Sequence, residues 1–139
     1  MKTFKIILFL VFFLNPLHAS SDYLSEGIIL YNKKEFKKAK FKFEQDIVFN
    51  PKSEKSYLYL SKIFNKQKNK DLEEKNLNTV ILLNPLNEEA TFNLAKLKFA
   101  QSDYNESKKL INELLVFCNS FCQKTKALKI EVDKSFKKK

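Results

Sequence analysis

Apolar residues recur at intervals of three and four along most of the chain, and nowhere do they alternate strictly with polar ones. Phe36, Ala39, Phe43 and Ile47 step in this way, which places them on one face of a helix. The pattern predicts a first pair of helices, Asp22 to Asn32 and Glu35 to Phe49. Runs of the same kind follow two Asn-Pro dipeptides: Asn50-Pro51 precedes "KSEKSYLYLSKIF" and Asn84-Pro85 precedes "LNEEATFNLAKLKF". Proline pushes the residue before it out of the helical region, so Pro51 and Pro85 end the preceding helices. Ser53 and Asn87 are the predicted N-caps of the helices that come next. Each is followed by acids (Glu54; Glu88 and Glu89) that suit the positive start of a helix. The chain reads as all-α.

The spacing from Pro51 to Pro85 sets a period of 34, and the rest of the chain keeps it. Gly27, Ser61 and Ala95 fall in register, and all three are small. Phe43, Leu77 and Ile111 align, as do Ile47, Ile81 and Leu115, and then Phe49, Leu83 and Phe117. Tyr23 meets Tyr57, and Leu60 meets Leu94. The third copy has Cys118-Asn119 where the others have Asn-Pro. Matching of residue type in so many columns defines three units, 20–51, 52–85 and 86–119, each a pair of helices. A segment at 120–139 follows, in which Phe121, Leu128, Val132 and Phe136 form one apolar stripe on a polar, lysine-rich helix. The column Phe43, Leu77, Ile111 is expected to be buried between helices.

Paired helices repeating on this period resemble the tetratricopeptide repeat (TPR), and the resemblance covers nearly all of the chain after Ala19. That family places a small residue where the two helices of a unit cross, supplied here by Gly27, Ser61 and Ala95. It opens the second helix with an aromatic and then a small residue, as Phe36 and Ala39 do, and Tyr104 and Ser107. The second unit departs from the pattern with Lys70 and Glu73, so its second helix is expected to start late or pack loosely. Glu26 stands where the first unit should be apolar. The resemblance implies an α-solenoid of about three repeats, with the basic segment 120–139 as its capping helix, because a single unit cannot bury its own apolar face.

In TPR proteins the first helices of successive units line a concave, peptide-binding groove. By matching positions, the resemblance assigns to it Leu24, Ile28, Tyr31 and Asn32, then Leu58, Lys62, Asn65 and Lys66, then Phe92, Lys96 and Phe99. The groove so implied is apolar and aromatic with lysines along one wall, suited to a peptide of mixed acidic and hydrophobic character. The chaperone-tail-binding members carry Lys and Asn where this chain has Leu24 and Ile28, which argues against their clamp on a terminal carboxylate.

The segment from Met1 to Ala19 is of another kind. Lys2 and Lys5 precede an unbroken apolar run, Ile6 to Leu14; Pro16 follows, and Leu17-His18-Ala19 ends small. This is the layout of a secretory signal peptide cleaved after Ala19 or Ser20. The apolar run is short for a membrane span, which takes roughly 20 residues, so an uncleaved anchor is the secondary reading. The expected setting is the periplasm or envelope of a bacterium.

The 139 residues carry a formal charge of +10, and every basic side chain is a lysine. A composition rich in Lys, Asn, Phe and Ile and poor in Gly, Arg and Trp is what AT-rich coding produces, so basicity alone does not point to nucleic acid. Without the planar fork of arginine, sequence-specific base reading is disfavoured. The charge is also uneven: +1, +3 and −1 over the three units, and +5 from Ser120 onward. That concentration motivates an alternative function, peripheral binding of anionic lipid or another polyanion through the lysine-rich C-terminal helix.

Catalytic chemistry is poorly provided for. The one histidine, His18, lies in the leader, and a single glycine rules out a glycine-rich phosphate cradle. Adjacent carboxylates, Glu73 with Glu74 and Glu88 with Glu89, point apart on a helix and read as solvated or helix-start charges. No cofactor or metal is implied. Cys118 and Cys122 are the candidate disulfide: a bend between them would bring the sulfurs together, whereas an unbroken helix would leave two buried thiols, and a redox or metal role is the third reading. The sequence thus points to a non-enzymatic interaction module whose partner is a protein or peptide, with weak contact to an anionic membrane surface as a secondary partner.

Overall fold

The computed structural model describes residues 22–136. They form seven α-helices and, among the described residues, no strand: α1 Tyr23–Asn32, α2 Phe36–Phe49, α3 Glu54–Lys66, α4 Lys70–Leu83, α5 Glu88–Ala100, α6 Tyr104–Phe117 and α7 Cys122–Phe136. Helices α1/α2, α3/α4 and α5/α6 are the three hairpins, and α7 packs on α6 at the end. The leader and Lys137, Lys138 and Lys139 lie outside the described residues.

Hairpin stacking creates the core. Phe43, Leu77 and Ile111 are fully buried. Ala39 and Phe43 join Leu60, Ile63 and Phe64 to seal the first unit to the second. Leu77 and Val80, with Leu94, Leu97, Leu110 and Ile111, seal the second to the third and reach Leu128 and Val132 of α7. The chain's single glycine serves the first crossing. A Cβ on Gly27 would stand 2.6 Å from Cε1 of Phe43, inside any real contact distance.

With that glycine committed, the turns inside the hairpins do without. Lys34, Lys68 and Ser102, which share one column of the repeat, all adopt positive φ (62°, 57° and 63°). In each hairpin the turn closes with a bond back into the last helical turn: Glu35 N to Leu30 O, Asn69 N to Phe64 O, and Asp103 N to Lys98 O.

Two expectations change. The second helix of unit two starts in register at Lys70, capped by Asn69, which accepts from Leu72 N at 3.1 Å. It is neither late nor loose. Asn87 caps α5 through Ala90 N, as expected. Ser53, by contrast, makes no capping bond; its hydroxyl donates to Ser56 Oγ, which donates in turn to Asp46 Oδ2. Glu26, the charged departure of unit one, is tied to Lys42.

The loops between units are clasped by acids from the unit before. Glu54 accepts from the side-chain amides of Asn84 and Asn87. Glu88, in the same column of the next unit, accepts from Phe121 N at 2.8 Å. The backbone bond from Phe121 holds the Glu88 carboxyl below its ordinary value. These bonds link each hairpin to the loop that follows it. The last such loop is closed by a disulfide between Cys118 and Cys122, with an S–S distance of 2.00 Å, and the chain bends between the two.

Candidate functional site

A cavity of about 620 Å³ opens between the C-terminal halves of α1 and α3, the length of α5 and the start of α4. Five of the eleven residues assigned to the groove line it: Tyr31, Lys62, Asn65, Lys66 and Lys96. Lys68, Lys70, Glu73, Glu89 and Asn93 complete its polar wall, with Leu97 and Ala100 as apolar floor.

The other six assigned residues are elsewhere. Leu58 is only 9% exposed and belongs to the core around Leu77 and Leu94. Leu24 and Ile28 pack on the Phe43 cluster. Phe92 meets Phe121 of the capping segment at 5.4 Å, and Phe99 meets Tyr104 at 5.7 Å. Asn32 is exposed but does not reach the cavity. Leu24, Ile28, Phe92 and Phe99 are thus partly covered, by contacts inside their own hairpins and, for Phe92, by the capping segment. Tyr31 shows the same pull: its ring contacts both Phe36 and Tyr59 edge-on while still bordering the cavity. Burial raises the Tyr31 phenol, which keeps it neutral and able to donate.

What remains open is basic. Five lysines face two carboxylates. Lys62 is neutralised, with Nζ 2.8 Å from Glu89. Lys66, Lys68, Lys70 and Lys96 enter no salt bridge with any described residue. The ammonium groups of Lys66 and Lys96 lie over the rings of Phe36 and Phe92, 5.1 and 5.8 Å from the centroids, contacts that leave their charge unneutralised by a carboxylate.

Glu73 is the residue that sequence reasoning misplaces. It occupies the column of Ala39 and Ser107 and reads as a solvated charge, yet it is 4% exposed. Its carboxylate accepts from Asn65 Nδ2 at 2.9 Å inside the cavity. Burial pushes its pKa up, only partly offset by the Asn65 bond and by Lys96 and Lys70. A carboxyl whose folded pKa lies above its ordinary 4.5 destabilises the fold increasingly as pH rises from that value through the folded one. Glu73→Gln keeps the acceptor and removes the charge. It is expected to melt with wild type at acidic pH and above it at neutral pH; a constant offset across a pH series of thermal melts would contradict the assignment. Its neighbour Glu74 does point elsewhere, to Lys98 at 2.6 Å.

Stacked hairpins of this geometry have solved counterparts. The first TPR domain of Spaghetti (RPAP3), bound to an HSP90 peptide, superposes with a TM-score of 0.75 at 13% identity, over 82% of this chain and 90% of that one. The fold is that of the tetratricopeptide repeat. The type III secretion chaperone SycD of Yersinia enterocolitica, in complex with a peptide of the translocator YopD, gives 0.75 at 12% identity, covering 84% of this chain and 92% of SycD. The TPR2B domain of yeast Sti1, complexed with pHsp70, gives 0.75 at 14%, with coverages of 81% and 94%. No protein-family model and no curated protein matches the sequence. Among the described residues, no cluster of His, Cys, Asp and Glu could hold a metal ion, and no helix is long and apolar enough to cross a membrane.

Proposed function

We propose that this TPR array is a non-catalytic, exported adaptor that holds an acidic, partly apolar peptide segment of an envelope protein in its concave cavity. One observation carries the reading: four lysines converge on a cavity of about 620 Å³ without a salt-bridge partner among the described residues. Cations in excess of carboxylates around a partly enclosed space favour a negatively charged ligand. The hydroxyl of Tyr31 and the amides of Asn65 and Asn93 offer orientation, and Leu97 and Ala100 a small apolar seat. Solved neighbours of the same fold carry peptides, which supports a peptide over a small metabolite. The signal-peptide layout from Met1 to Ala19 supports export to the periplasm or envelope.

The test uses protein recovered from the envelope, whose intact mass reports an N-terminus at Ser20 or Ser21 if the leader is removed. Fluorescence anisotropy against a labelled peptide alternating Asp and Glu with Leu and Phe should show binding. Lys66→Glu combined with Lys96→Glu should weaken it at least about tenfold, equivalent to roughly 1.4 kcal/mol. Changing Lys137, Lys138 and Lys139 to Gln should leave it intact. The same affinity in the charge-reversed protein would remove the cavity from consideration and promote the C-terminal helix as the basic site.

A further inference from the structure

The exposed apolar side chains are not scattered. Val48, Leu82 and Val116 share one column of the repeat, each near the end of its unit's second helix, and are 73%, 82% and 87% exposed. Phe49 and Leu86 stand beside them, also largely exposed. The array therefore repeats one uncovered apolar position along a single edge, where second helices end and the next first helices begin. We propose that this edge docks on an anionic lipid surface.

Three observations select that occupant. The chain enters the fold here, for Tyr23 stacks on Phe49 with ring centroids 5.6 Å apart. Eight residue steps separate Asp22 from the apolar run Ile6–Leu14, a reach of at most about 29 Å. A leader sitting in a membrane would keep the start of α1, which lies at this edge, within that reach of it. The charges also fit. Lys52, Lys55 and Lys124 are exposed along the edge and form no salt bridge with a described residue. Glu54 and Glu88, the acids of the same loops, are tied to Asn84 and to Phe121 N. Apolar tips flanked by free lysines match the interfacial zone of an anionic bilayer. A second copy paired through this edge would set lysines against lysines. Finally, the cavity lining comes mostly from the other ends of α1 and α3 and the turn before α4, with Glu89 alone at the start of α5, so docking by this edge leaves most of it uncovered.

The opposite edge supplies the control. Phe136, the last described residue, lies 5.8 Å from Tyr104 at the start of α6, at the far edge. Because the core is closed within residues 22–136, the chain from Ser20 can be tested without its leader. It should float with vesicles of phosphatidylethanolamine and phosphatidylglycerol. The variant Val48→Ser, Leu82→Ser, Val116→Ser should lose most of that binding with an unchanged melting temperature. Lys52→Gln with Lys55→Gln should weaken it and flatten its salt dependence, while neutralising Lys137, Lys138 and Lys139 should change nothing. Absence of flotation, full binding by the triple serine variant, or loss of binding through the C-terminal lysines would overturn the proposal. So would sedimentation showing a dimer that the serine variant disperses. Peptide binding by the same serine variant should persist, which separates this surface from the cavity.

Discussion

Phe43→Ala is expected to lower the stability of the array by about 3–5 kcal/mol, the range for deleting a fully buried phenylalanine ring. The ring has no exposed surface and stacks on Tyr59 of the next unit, centroids 5.0 Å apart. Its other side lies so close to Gly27 that a single added methyl there would collide with it. On the Gly27 side the surface is backbone, which cannot collapse into the space as a side chain can. For a domain near 100 residues the melting temperature should fall by on the order of 10–20 °C. Among the described residues the first unit has no neighbour but the second, so its amides should lose hydrogen-exchange protection before those of α5 and α6. A melt displaced by only a few degrees, with uniform protection, would mean that the seam between units one and two is not held by this ring.

The features that repeat through burial were the ones legible in the sequence. Phe43, Leu77 and Ile111 share a column because the same crossing recurs in each hairpin, and a buried crossing restricts residue type. Features that repeat through backbone geometry left no trace. Lys34, Lys68 and Ser102 share a left-handed turn, yet no glycine or asparagine marks it, because the bonds back to Leu30, Phe64 and Lys98 hold it whatever the side chain. The site was legible by halves for a related reason. Position on a first helix brought Tyr31, Lys62, Asn65, Lys66 and Lys96 to the cavity. Whether an aromatic faces the cavity or a neighbouring ring depends on what the next helix offers, and Phe121 and Tyr104 took up Phe92 and Phe99. Glu73 could have been found. A carboxylate in a column of small residues is a charge that the fold must bury and answer.

Replacing both Cys118 and Cys122 by serine is expected to cost about 2 kcal/mol, from the loop-closure entropy of the short segment they span. The position of the bond explains why it is needed. Cys118-Asn119 stands in register with Asn50-Pro51 and Asn84-Pro85, so the third unit lacks the proline that turns the chain in the first two. A covalent link between the end of α6 and the first turn of α7 takes its place. It also holds α7 where Leu128 and Val132 cover the core that Leu110 and Ile111 would otherwise expose. The loss should therefore be local: protection should fall first along α7, while α1 and α2 keep theirs. Reducing agent should shift the wild-type melt by the same amount and leave the double serine variant unmoved. Wild-type melts identical with and without reductant, or prompt alkylation of native protein from the envelope, would show that the bond is absent or carries no stability. Such bonds persist in oxidising compartments, so the experiment bears on export as well. A copy confined to a reducing cytoplasm would hold its end cap by the packing of Leu128 and Val132 alone.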